Sequence, residues 1–581
     1  MQRMGRFKGY TLTAFRNDMI SGLIVGVIAI PLGMAFAIAS GVKPEYGIYT
    51  TIVAGICISL FGGSKYQIGG PTGAFIPVLF AIVMEYGYEN LLIAGFMAGV
   101  LLVLMGICRL GILIRYIPRP VTIGFTAGIA MIIFSGQIAS FLGLQDIEKH
   151  EDFLSNMKEI AAHLSTFDGY SILTAFICLG VILLTSRYTP KIPGSLIGLI
   201  LSSAAAILFF DGKVPTIGSA FGAIPDSLPH FQFPQLTWER IEMLLGPALI
   251  IAMLGGIESL LSAVVADEMT GSRHNSNREL VGQGIANIVT PLFGGIPATG
   301  AIARTATNIK NGAVSPMSGI IHGLTVLGVL LLFAPFASRI PLASMAPILM
   351  IVAWNMSERK AFAHILKMKS SDTLILLVTF ILTVLTTLTT AVGLGLLLAI
   401  LLFLKQMGDT TSITKVLPGY SSKRGKKKLH RTKRPDCPQM NIYHVEGPLF
   451  FGMAHALEKS IPGILQSKKK ILLFEMGKVP FMDVTGAADF GRLIIHVRQS
   501  GGVVLLSGAG GQLVSTLEKT GLLYDIGREH LFNRMGEAVA FALTQMDSSR
   551  CAGCKQFAFR ECAALSNVEA GRVTTASGAE D

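Results

Sequence analysis

Apolar runs that approach the length of a membrane-crossing helix recur along the first 410 residues of this 581-residue chain. A helix needs roughly 20 apolar residues to cross the ~30 Å hydrocarbon core of a bilayer. Fourteen runs come near that length, at 18–40, 48–62, 68–85, 90–107, 121–143, 171–186, 193–210, 244–266, 280–293, 299–314, 318–337, 341–356, 373–390 and 392–407. Several are shorter or contain Gly and Pro, which are tolerated where protein or water satisfies the backbone. The pattern predicts an all-α polytopic membrane protein with interrupted helices.

The charged residues divide the chain near residue 410. They make up 46 of the first 410 residues and 38 of the last 171, about 11% against about 22%. The first part is therefore expected to lie in the lipid bilayer and the second in water. The seven cysteines are scattered and odd in number, with four in the polar part. This indicates a reduced, cytosolic tail without a disulfide framework.

Lys and Arg residues between the runs indicate the orientation in the membrane. If the N-terminal residues 1–17 are inside, the inside loops carry thirteen basic residues and the outside loops six. Cytoplasmic loops are enriched in Lys and Arg. The bias favours both termini in the cytoplasm and a multi-pass protein of the inner (plasma) membrane. It also explains the net charge of +12, so that a nucleic-acid partner is not expected.

Two motifs are repeated at a long offset. GGPTGAF at 69–75 and GGIPATGAIAR at 294–304 both place a glycine pair and a proline before Thr-Gly-Ala. The triplets Thr72-Gly73-Ala74 and Thr299-Gly300-Ala301 are 227 residues apart and open the third and tenth runs. An offset of seven runs gives the two copies opposite orientations. Inverted repeats with interrupted helices are typical of secondary transporters.

Each motif is expected to place a helix N-terminus inside the membrane. Gly-Gly-Pro cannot continue a helix, whereas the residues after it can start one. Two helix N-termini with unpaired N–H groups and positive dipole ends form a site for an anion. Thr72 and Thr299 can add hydroxyl groups, and Gly73 and Gly300 let a ligand approach the backbone. Alternatively, the glycines serve only to pack helices.

Few ionisable residues lie within the runs, and such residues are costly enough in a membrane to suggest a function. Arg304, five residues after Thr299, can supply a fixed positive charge for the anion or face a structural carboxylate. Glu258 can carry a proton, hold Na⁺ together with Ser262 one turn further on, or pair with Arg304. His322 is predicted to be a hydrogen-bonded structural histidine.

The polar part of the chain contains a linker, a domain and a tail. The linker, 408–437, includes the basic run KRGKKKLHRTKR at 423–434, which either is solvated or docks on anionic headgroups. Residues 438–548 alternate short apolar strands with helix-like stretches at 452–466, 486–499 and 510–521, which predicts a small α/β domain. The remaining residues, 549–581, are expected to be disordered.

Four stretches of the first part resemble the SulP sulfate-permease family of anion transporters. They are PLGMAFAIASGVKPEYGIYT, GGSKYQIGGPTGAF, IPRPVTIGFTAGIA and the long segment from IESLLSAVVADEMTG to ARTATNIKNGA. The α/β domain with FMDVTGAADF is similar to the STAS domain that closes these proteins. Within the family the chain looks closest to the bacterial C4-dicarboxylic acid transporter branch.

The resemblance implies fourteen spans, 18–407, arranged as a seven-plus-seven inverted repeat. A core domain would hold the substrate between half-helices at spans three and ten, a gate domain would lie beside it, and a homodimer would transport by an elevator-type movement. The positions that match the family's anion site are Phe36, Thr72, Gly73, Ala301 and Arg304, with Ala303 beside them.

The resemblance also assigns ion coupling to Glu258. Sodium-coupled bicarbonate members have Asp there and Thr one turn on, whereas this chain has Glu258 and Ser262, which favours protons.

In the STAS loop, the position of a phosphorylated Ser in related proteins is Val484, which has no hydroxyl group. Cys551-x-x-Cys554 and Cys562 have no His nearby, so a metal is not expected.

Together these features predict a secondary active transporter of a small anion, sulfate or a C4-dicarboxylate, in symport with protons. Alternatives are a sodium-coupled bicarbonate transporter, a nucleobase-type carrier, and a membrane sensor that does not transport and signals through a cytosolic partner of the STAS domain. An enzyme is not expected, because no nucleophile–base set, nucleotide loop or metal-ligand cluster is evident, and no cofactor is expected either.

Overall fold

The computed structural model describes residues 10–111, 118–150, 152–189, 193–210, 212–226, 230–386, 388–416, 437–451 and 471–552, with 554, 558, 559 and 562. Contacts divide the chain into two compact units at Ala399/Ile400. Among the sequence predictions, those for residues 1–9, the basic run 423–434, the helix-like stretch 452–466 and the tail after residue 562 lie outside the described residues.

The first unit is helical. Its first nine helices are α1 (Leu12–Ala39), α2 (Pro44–Phe61), α3 (Ile76–Tyr86), α4 (Tyr88–Ile107), α5 (Arg119–Gly136), α6 (Ile138–Leu142), α7 (Phe153–Ala162), α8 (Gly169–Tyr188) and α9 (Gly194–Phe209). They are followed by α10 (Ile217–Phe221), α11 (Trp238–Thr270), α12 (Ser276–Leu292), α13 (Ile302–Lys310), α14 (Met317–Ala337), α15 (Leu342–Met356), α16 (Arg359–Met368), α17 (Ser371–Leu385) and α18 (Leu388–Thr410). Two very short strands, β1 (Gly69–Gly70) and β2 (Thr299–Gly300), precede α3 and α13.

Eight helices of the described chain are long and apolar enough to cross a membrane. They are Leu12–Ala39, Pro44–Phe61, Tyr88–Ile107, Arg119–Leu142, Gly169–Tyr188, Trp238–Thr270, Met317–Ala337 and Gly393–Thr410. Each of the fourteen apolar runs of the sequence also overlaps a helix. Helices α3 and α13 have only 11 and 9 residues. At 1.5 Å per residue neither spans the hydrocarbon core alone, so both act as half-helices that follow a glycine-rich extended segment.

Close helix crossings hold the motif-bearing segments in place. Helix α12, which leads into the second motif, packs on α4 and α2, and α1 packs on α14 and α2. Gly99 of α4 and Gly284 of α12 face each other: a Cβ atom on Gly99 would lie 2.7 Å from the carbonyl oxygen of Gly284. Only glycine allows backbones to approach this closely, a common arrangement between membrane helices.

The second unit contains a five-stranded sheet in the order β3–β4–β5–β6–β7. Its strands are β3 (Ser412–Val416), β4 (Met440–Glu446), β5 (Ile471–Lys478), β6 (Val503–Ser507) and β7 (Leu531–Phe532), and its helices are α19 (Val484–Gln499), α20 (Gly511–Lys519), α21 (Leu522–Ile526), α22 (Met535–Thr544) and α23 (Ser548–Cys551). Strand β3 is antiparallel to β4, and the other pairs are parallel. Alternate residues of β5 enter two different cores: Leu472 and Phe474 one, Ile471 and Leu473 the other. Both faces of the sheet are therefore covered.

Two boundaries in the polar part differ from the sequence prediction. The predicted linker 408–437 contains β3, which pairs with β4 as an edge strand of the sheet. The predicted disordered tail begins too early at 549, because α23 reaches Cys551 and Ala558 is buried in the same core as Ile471. Ala558 is held in this core by apolar burial, although the residues around it in the sequence are mostly polar.

Candidate functional site

Strands β1 and β2 bring the two repeat motifs together. They pair antiparallel, with Gly69 opposite Gly300 and Gly70 opposite Thr299. The pairing is extended by Ala301, whose backbone N–H donates to the carbonyl oxygen of Ile68 at 2.8 Å. Because the strands are antiparallel, the chain enters the two following helices from opposite ends of the pair. The motifs are 227 residues apart in sequence and in contact in the fold.

The second motif presents free backbone N–H groups at the start of α13. The first helical hydrogen bond runs from the Thr305 N–H to the Ala301 carbonyl oxygen at 2.8 Å. The N–H groups of Ile302, Ala303 and Arg304 precede it and have no acceptor within the helix. Ala303 is exposed and Ile302 is 37% exposed. This turn is therefore an accessible helix N-terminus of the kind that binds anions.

The first motif presents a second, smaller set of N–H groups. Thr72 has an extended backbone, and the turn that follows closes with a bond from the Phe75 N–H to the Thr72 carbonyl oxygen at 3.3 Å. The N–H groups of Gly73 and Ala74 precede that bond. Gly73 and Ala74 are buried. The two motifs thus supply free N–H groups from two chain directions.

Glu258 on α11 is joined directly to the first motif. The Thr72 hydroxyl donates to Oε2 of Glu258 at 2.8 Å. Thr72 is buried, whereas Glu258 is partly accessible. A change in the charge of this carboxyl group therefore acts directly on a residue of the predicted anion site. Sequence reasoning selected both residues but had no means of pairing them.

Arg304 lies beneath the first motif. Its Nη2 donates to the carbonyl oxygen of Pro71, and its Nη1 has no hydrogen-bond partner in the described part of the chain. Its side chain is 3% exposed. A Cβ atom on Gly70, where φ is +150°, would lie 2.6 Å from Nη1. The guanidinium is thus held against the backbone of β1 and carries an unpaired donor.

Among the described residues, which include both, Arg304 and Glu258 do not form an ion pair. The pairing considered from the sequence is therefore not found in this structure. Instead each group contacts the first motif, Arg304 through Pro71 and Glu258 through Thr72. Each charge is left with capacity for a further partner.

Apolar side chains from three other helices surround Gly73. A Cβ atom on Gly73 would lie 3.7 Å from Cε1 of Phe36, 3.5 Å from Cδ1 of Ile133 and 3.3 Å from Sδ of Met356. Phe36 was expected here from the family resemblance, whereas Ile133 and Met356 were not predicted. Both belong to continuous apolar stretches without a distinguishing motif, so nothing in the sequence separates them from other core residues.

Thr299 and Ser262 make contacts that differ from the predicted ones. The Thr299 hydroxyl lies 2.6 Å from Oγ of Ser259 and donates to the carbonyl oxygen of Gly255 at 3.1 Å. The Ser262 hydroxyl donates to Oγ1 of Thr305 at 3.2 Å. Thr299 and Ser262 are fully buried. These two hydroxyl groups attach the second motif to α11.

Two further polar residues behave unexpectedly. Asn287 of α12 was not predicted, yet its side chain donates to the Ala298 carbonyl oxygen and accepts from the Ala298 N–H, both at 2.8 Å. A polar residue within an apolar run was the signal available in the sequence. His322, predicted to be hydrogen-bonded, is fully buried, and neither ring nitrogen has a hydrogen-bond partner among the described residues. One side of the ring faces a glycine, because a Cβ atom on Gly55 would lie 2.9 Å from Nδ1 of His322.

The sequence matches the Sulfate permease family over residues 15–379 and the STAS domain over residues 431–538. The first match alone covers more than half of the chain. The chain belongs to the sulfate permease family. Members of this family are transporters, so the expectation that the protein is not an enzyme is confirmed. The comparisons support an anion transporter with a C-terminal STAS domain and do not support a C4-dicarboxylate branch.

Three relatives illustrate the match. The protein named "Putative sulfate transporter YvdB" of Bacillus subtilis is 56% identical over 92% of this chain and 99% of its own length. The transmembrane domain of a cyanobacterium bicarbonate transporter, BicA, is 31% identical with a TM-score of 0.60, covering 67% of this chain and 98% of that one. The murine Slc26a9 anion transporter in the inward-facing state shares the fold, with a TM-score of 0.82 at 18% identity over 92% of this chain and 93% of that one.

A separate cavity of about 320 Å³ lies between α1, α8, α9 and α15. It is lined by Leu32, Ile182, Ser186, Gly194, Ser195, Ile348, Ile351, Val352 and Asn355. None of these is ionisable and none belongs to the repeat motifs. The cavity therefore offers no charged side chain to an anion, in contrast to the paired motifs, which lie beside Arg304.

The loop of the STAS domain that contains Asp483 leads into α19. Asp483 caps the helix by accepting from the N–H of Gly486 at 2.7 Å and of Phe451 at 3.2 Å. Val484, the position of the phosphorylated Ser in related proteins, is 75% exposed but carries no hydroxyl group. The loop keeps its capping geometry while lacking the phosphate acceptor at that position.

Proposed function

We propose that this protein imports sulfate across the inner membrane in symport with protons. The observation that carries the proposal is the hydrogen bond from Thr72 to Glu258, which joins a titratable carboxyl group to the paired helix N-termini. The family establishes an anion transporter. The proton as coupling ion and sulfate as substrate are inferred as follows.

The N–H groups at the two motifs suit a compact oxyanion. Gly73 and Ala74 on one side, and Ile302, Ala303 and Arg304 on the other, offer five backbone donors. Backbone dipoles hold an anion without requiring a full balancing charge in the membrane. The unpaired Nη1 of Arg304 adds a positive potential behind β1. A tetrahedral anion with four acceptor oxygens uses donors that converge from two chain directions.

Proton coupling follows from electrostatics at Thr72. When Glu258 is a carboxylate, its negative charge repels an incoming anion and engages the Thr72 hydroxyl. When Glu258 is protonated, the repulsion is removed and the Thr72 hydroxyl can turn to the anion. Proton binding and anion binding therefore favour each other, and such linkage is reciprocal. A carrier that moves only when both are bound performs symport.

The proposed architecture keeps the sequence-based organisation. Fourteen spans form a seven-plus-seven inverted repeat, and the helices that overlap all fourteen apolar runs support that count. The antiparallel β1–β2 pair, with a half-helix after each strand, supports the inverted orientation. We propose an elevator-type movement in a homodimer with both termini in the cytoplasm. The STAS domain, 438–548 with β3 added, would bind a cytosolic partner.

Uptake into proteoliposomes under an imposed pH gradient tests the coupling. Glu258→Gln keeps an acceptor for Thr72 but cannot titrate, so we expect gradient-driven sulfate accumulation to be lost while sulfate exchange at equal pH persists. Glu239→Gln is a matched control, because Glu239 is exposed in the first turn of the same helix. Intact accumulation by Glu258→Gln would disprove the role of Glu258 in proton coupling. Accumulation driven by a Na⁺ gradient instead would establish the sodium alternative.

Binding of sulfate, bicarbonate and succinate to the purified protein tests the substrate. We expect sulfate to bind most tightly, in keeping with the name of the relative at 56% identity. Tighter binding of bicarbonate would favour the function named for BicA, and tighter binding of succinate would favour a C4-dicarboxylate transporter. Binding of uracil would indicate a nucleobase-type carrier. Absence of flux of all these solutes, together with a stable complex between the STAS domain and a cytosolic partner, would favour a membrane sensor.

A further inference from the structure

Four of the seven cysteines line one pocket in the second unit. They are Cys437, Cys551, Cys554 and Cys562. The other three cysteines belong to the first unit. Cys437 is 114 residues from Cys551 along the chain, so no spacing pattern groups it with the Cys551-x-x-Cys554 pair. Cys437, Cys554 and Cys562 all lie close enough to Cys551 for their charges to act on it.

Gln439 connects the two parts of this four-cysteine pocket. Its side chain donates to the carbonyl oxygen of Asp547 at 3.0 Å and accepts from the Asp547 N–H at 2.9 Å. These bonds hold the segment before β4 against the start of α23. Cys437 is buried in a core that also contains Ala558 from the C-terminal segment. The convergence of the cysteines is therefore built into the packing of the domain.

N–H donors point at two of the sulfur atoms, whereas burial and the neighbouring thiols raise the pKa of Cys551. The Gln439 side chain also donates to Sγ of Cys551 at 3.2 Å, and the Phe559 N–H donates to Sγ of Cys562 at 3.3 Å. Such N–H donors orient thiolate ligands and support their charge. Arg550 is the one charged side chain in the lining, and it is positive; the remaining lining residues are Pro438, Met546 and Ala558. No carboxylate or imidazole competes within this lining.

We propose that these four cysteines form a site for one thiophilic divalent cation, with Zn²⁺ as its chemical type. Four thiolates, two of them from a Cys-x-x-Cys pair, match the ligand number and type of a closed structural zinc site. In the described residues no three such ligands are already arranged around a common point. Metal binding and ordering of the ligands are coupled in sites of this kind, so the cation would draw the thiolates together.

The site would attach the C-terminal segment to the start of β4, an internal strand of the sheet. Residues from Ala552 onward follow α23, and Cys554 and Cys562 are their only thiol groups. A cation shared with Cys437 and Cys551 closes this segment onto the start of β4. The alternative is that the cysteines serve as small core residues without a ligand. Measurement of the metal content distinguishes the two hypotheses.

Metal content of the full-length protein tests the proposal. The protein is purified in detergent under reducing conditions, supplied with Zn²⁺, freed of excess metal, and analysed by elemental mass spectrometry. We expect one zinc per chain. Cys551→Ser and Cys437→Ser should each lower the affinity for Zn²⁺ at least tenfold. Cys108→Ser is the matched control, because Cys108 is an exposed cysteine of the first unit, and should leave zinc content unchanged.

A second probe addresses folding of the variants. Co²⁺ bound by four thiolates gives intense charge-transfer absorption that a surface-bound ion does not give. We expect this absorption in the wild-type protein and in Cys108→Ser, and a weaker, altered spectrum in Cys554→Ser with an unchanged elution volume. Absence of zinc and of the cobalt spectrum in the wild-type protein would overturn the proposal. So would a disulfide between any two of the four cysteines in protein alkylated directly from cells.

Discussion

At the scale of single residues, the proposed mechanism depends on the contact between Thr72 and Glu258, which would combine anion binding and proton binding. Thr72 belongs to the motif that offers N–H groups to the anion, and Glu258 belongs to a different element, α11. One hydroxyl cannot be fully engaged with a carboxylate and with an anion at once. This competition makes the charge of Glu258 matter to the anion.

The first prediction removes that hydroxyl. Thr72→Val keeps the shape of the side chain, and a hydrogen bond to a charged group contributes about 1.5–3 kcal/mol. If the anion uses the hydroxyl in the transport cycle, KM for sulfate should rise roughly tenfold or more. Thr72→Ser retains a hydroxyl and should stay near the wild-type value. Sulfate uptake as a function of concentration is the measurement, and similar KM values for Thr72→Val and wild type would exclude the role.

Residue identities at the site were largely predictable, whereas their partners were not. The repeated motif identified Thr72 and Thr299 as equivalent, yet Thr299 is occupied by Ser259 and Gly255 while Thr72 contacts Glu258. The difference arises because α11 passes both motifs and presents different side chains to each. A sequence motif indicates which backbone conformation its residues adopt. It does not indicate which neighbouring helix its side chains contact.

At the scale of elements, the β1–β2 pair depends on the absence of side chains. A Cβ atom on Gly300 would lie 1.5 Å from Nε2 of Gln67. Gln67 cannot move freely, because it is buried and donates to the carbonyl oxygen of Ser259 at 3.1 Å. The repeated glycines were visible in the sequence, but the side chain that fills the space beside them was not.

The second prediction concerns that packing. Gly300→Ala should destabilise the first unit, since overpacking a tight interior costs about 1–3 kcal/mol, and should reduce sulfate uptake. Gly328→Ala in α14 is the control: nothing lies within 4 Å of its Cβ position, and Ala is favoured over Gly in a helix by about 0.5–1 kcal/mol. Thermal unfolding of the purified variants is the measurement. Equal midpoints for the two variants would contradict the packing argument.

Element boundaries show where sequence patterns lose information. The starts of the half-helices α3 and α13 can be predicted, because the Gly- and Pro-containing segments before them interrupt a helix through local backbone constraints. Strand β3 was missed because five residues directly after a long helix carry no turn signal, and only pairing with β4 identifies them as a strand. Local backbone preferences can be predicted from a sequence, whereas the pairing of a strand with a distant partner can be identified only from the folded structure.

At the scale of the whole molecule, the chain contains two units that differ in solvent and in core. The large cluster around Phe36, Phe75 and Leu102 draws its residues from the first unit. The clusters around Phe474 and around Ile471 draw theirs from the second. The change in the density of charged residues near residue 410 and the contact boundary at Ala399/Ile400 both separate these two units. Separate cores suggest that each unit unfolds as its own cooperative transition.

The last prediction uses ligands to assign those transitions. A ligand that binds only the folded form stabilises the unit that binds it, by about 2.7 kcal/mol at a hundredfold excess over Kd. Saturating sulfate should therefore raise one thermal transition, that of the first unit, and leave the other in place. Removing zinc with a chelator should lower only the other transition. Scanning calorimetry of the full-length protein measures both. One transition that moves as a whole with either ligand would show that the two cores unfold together.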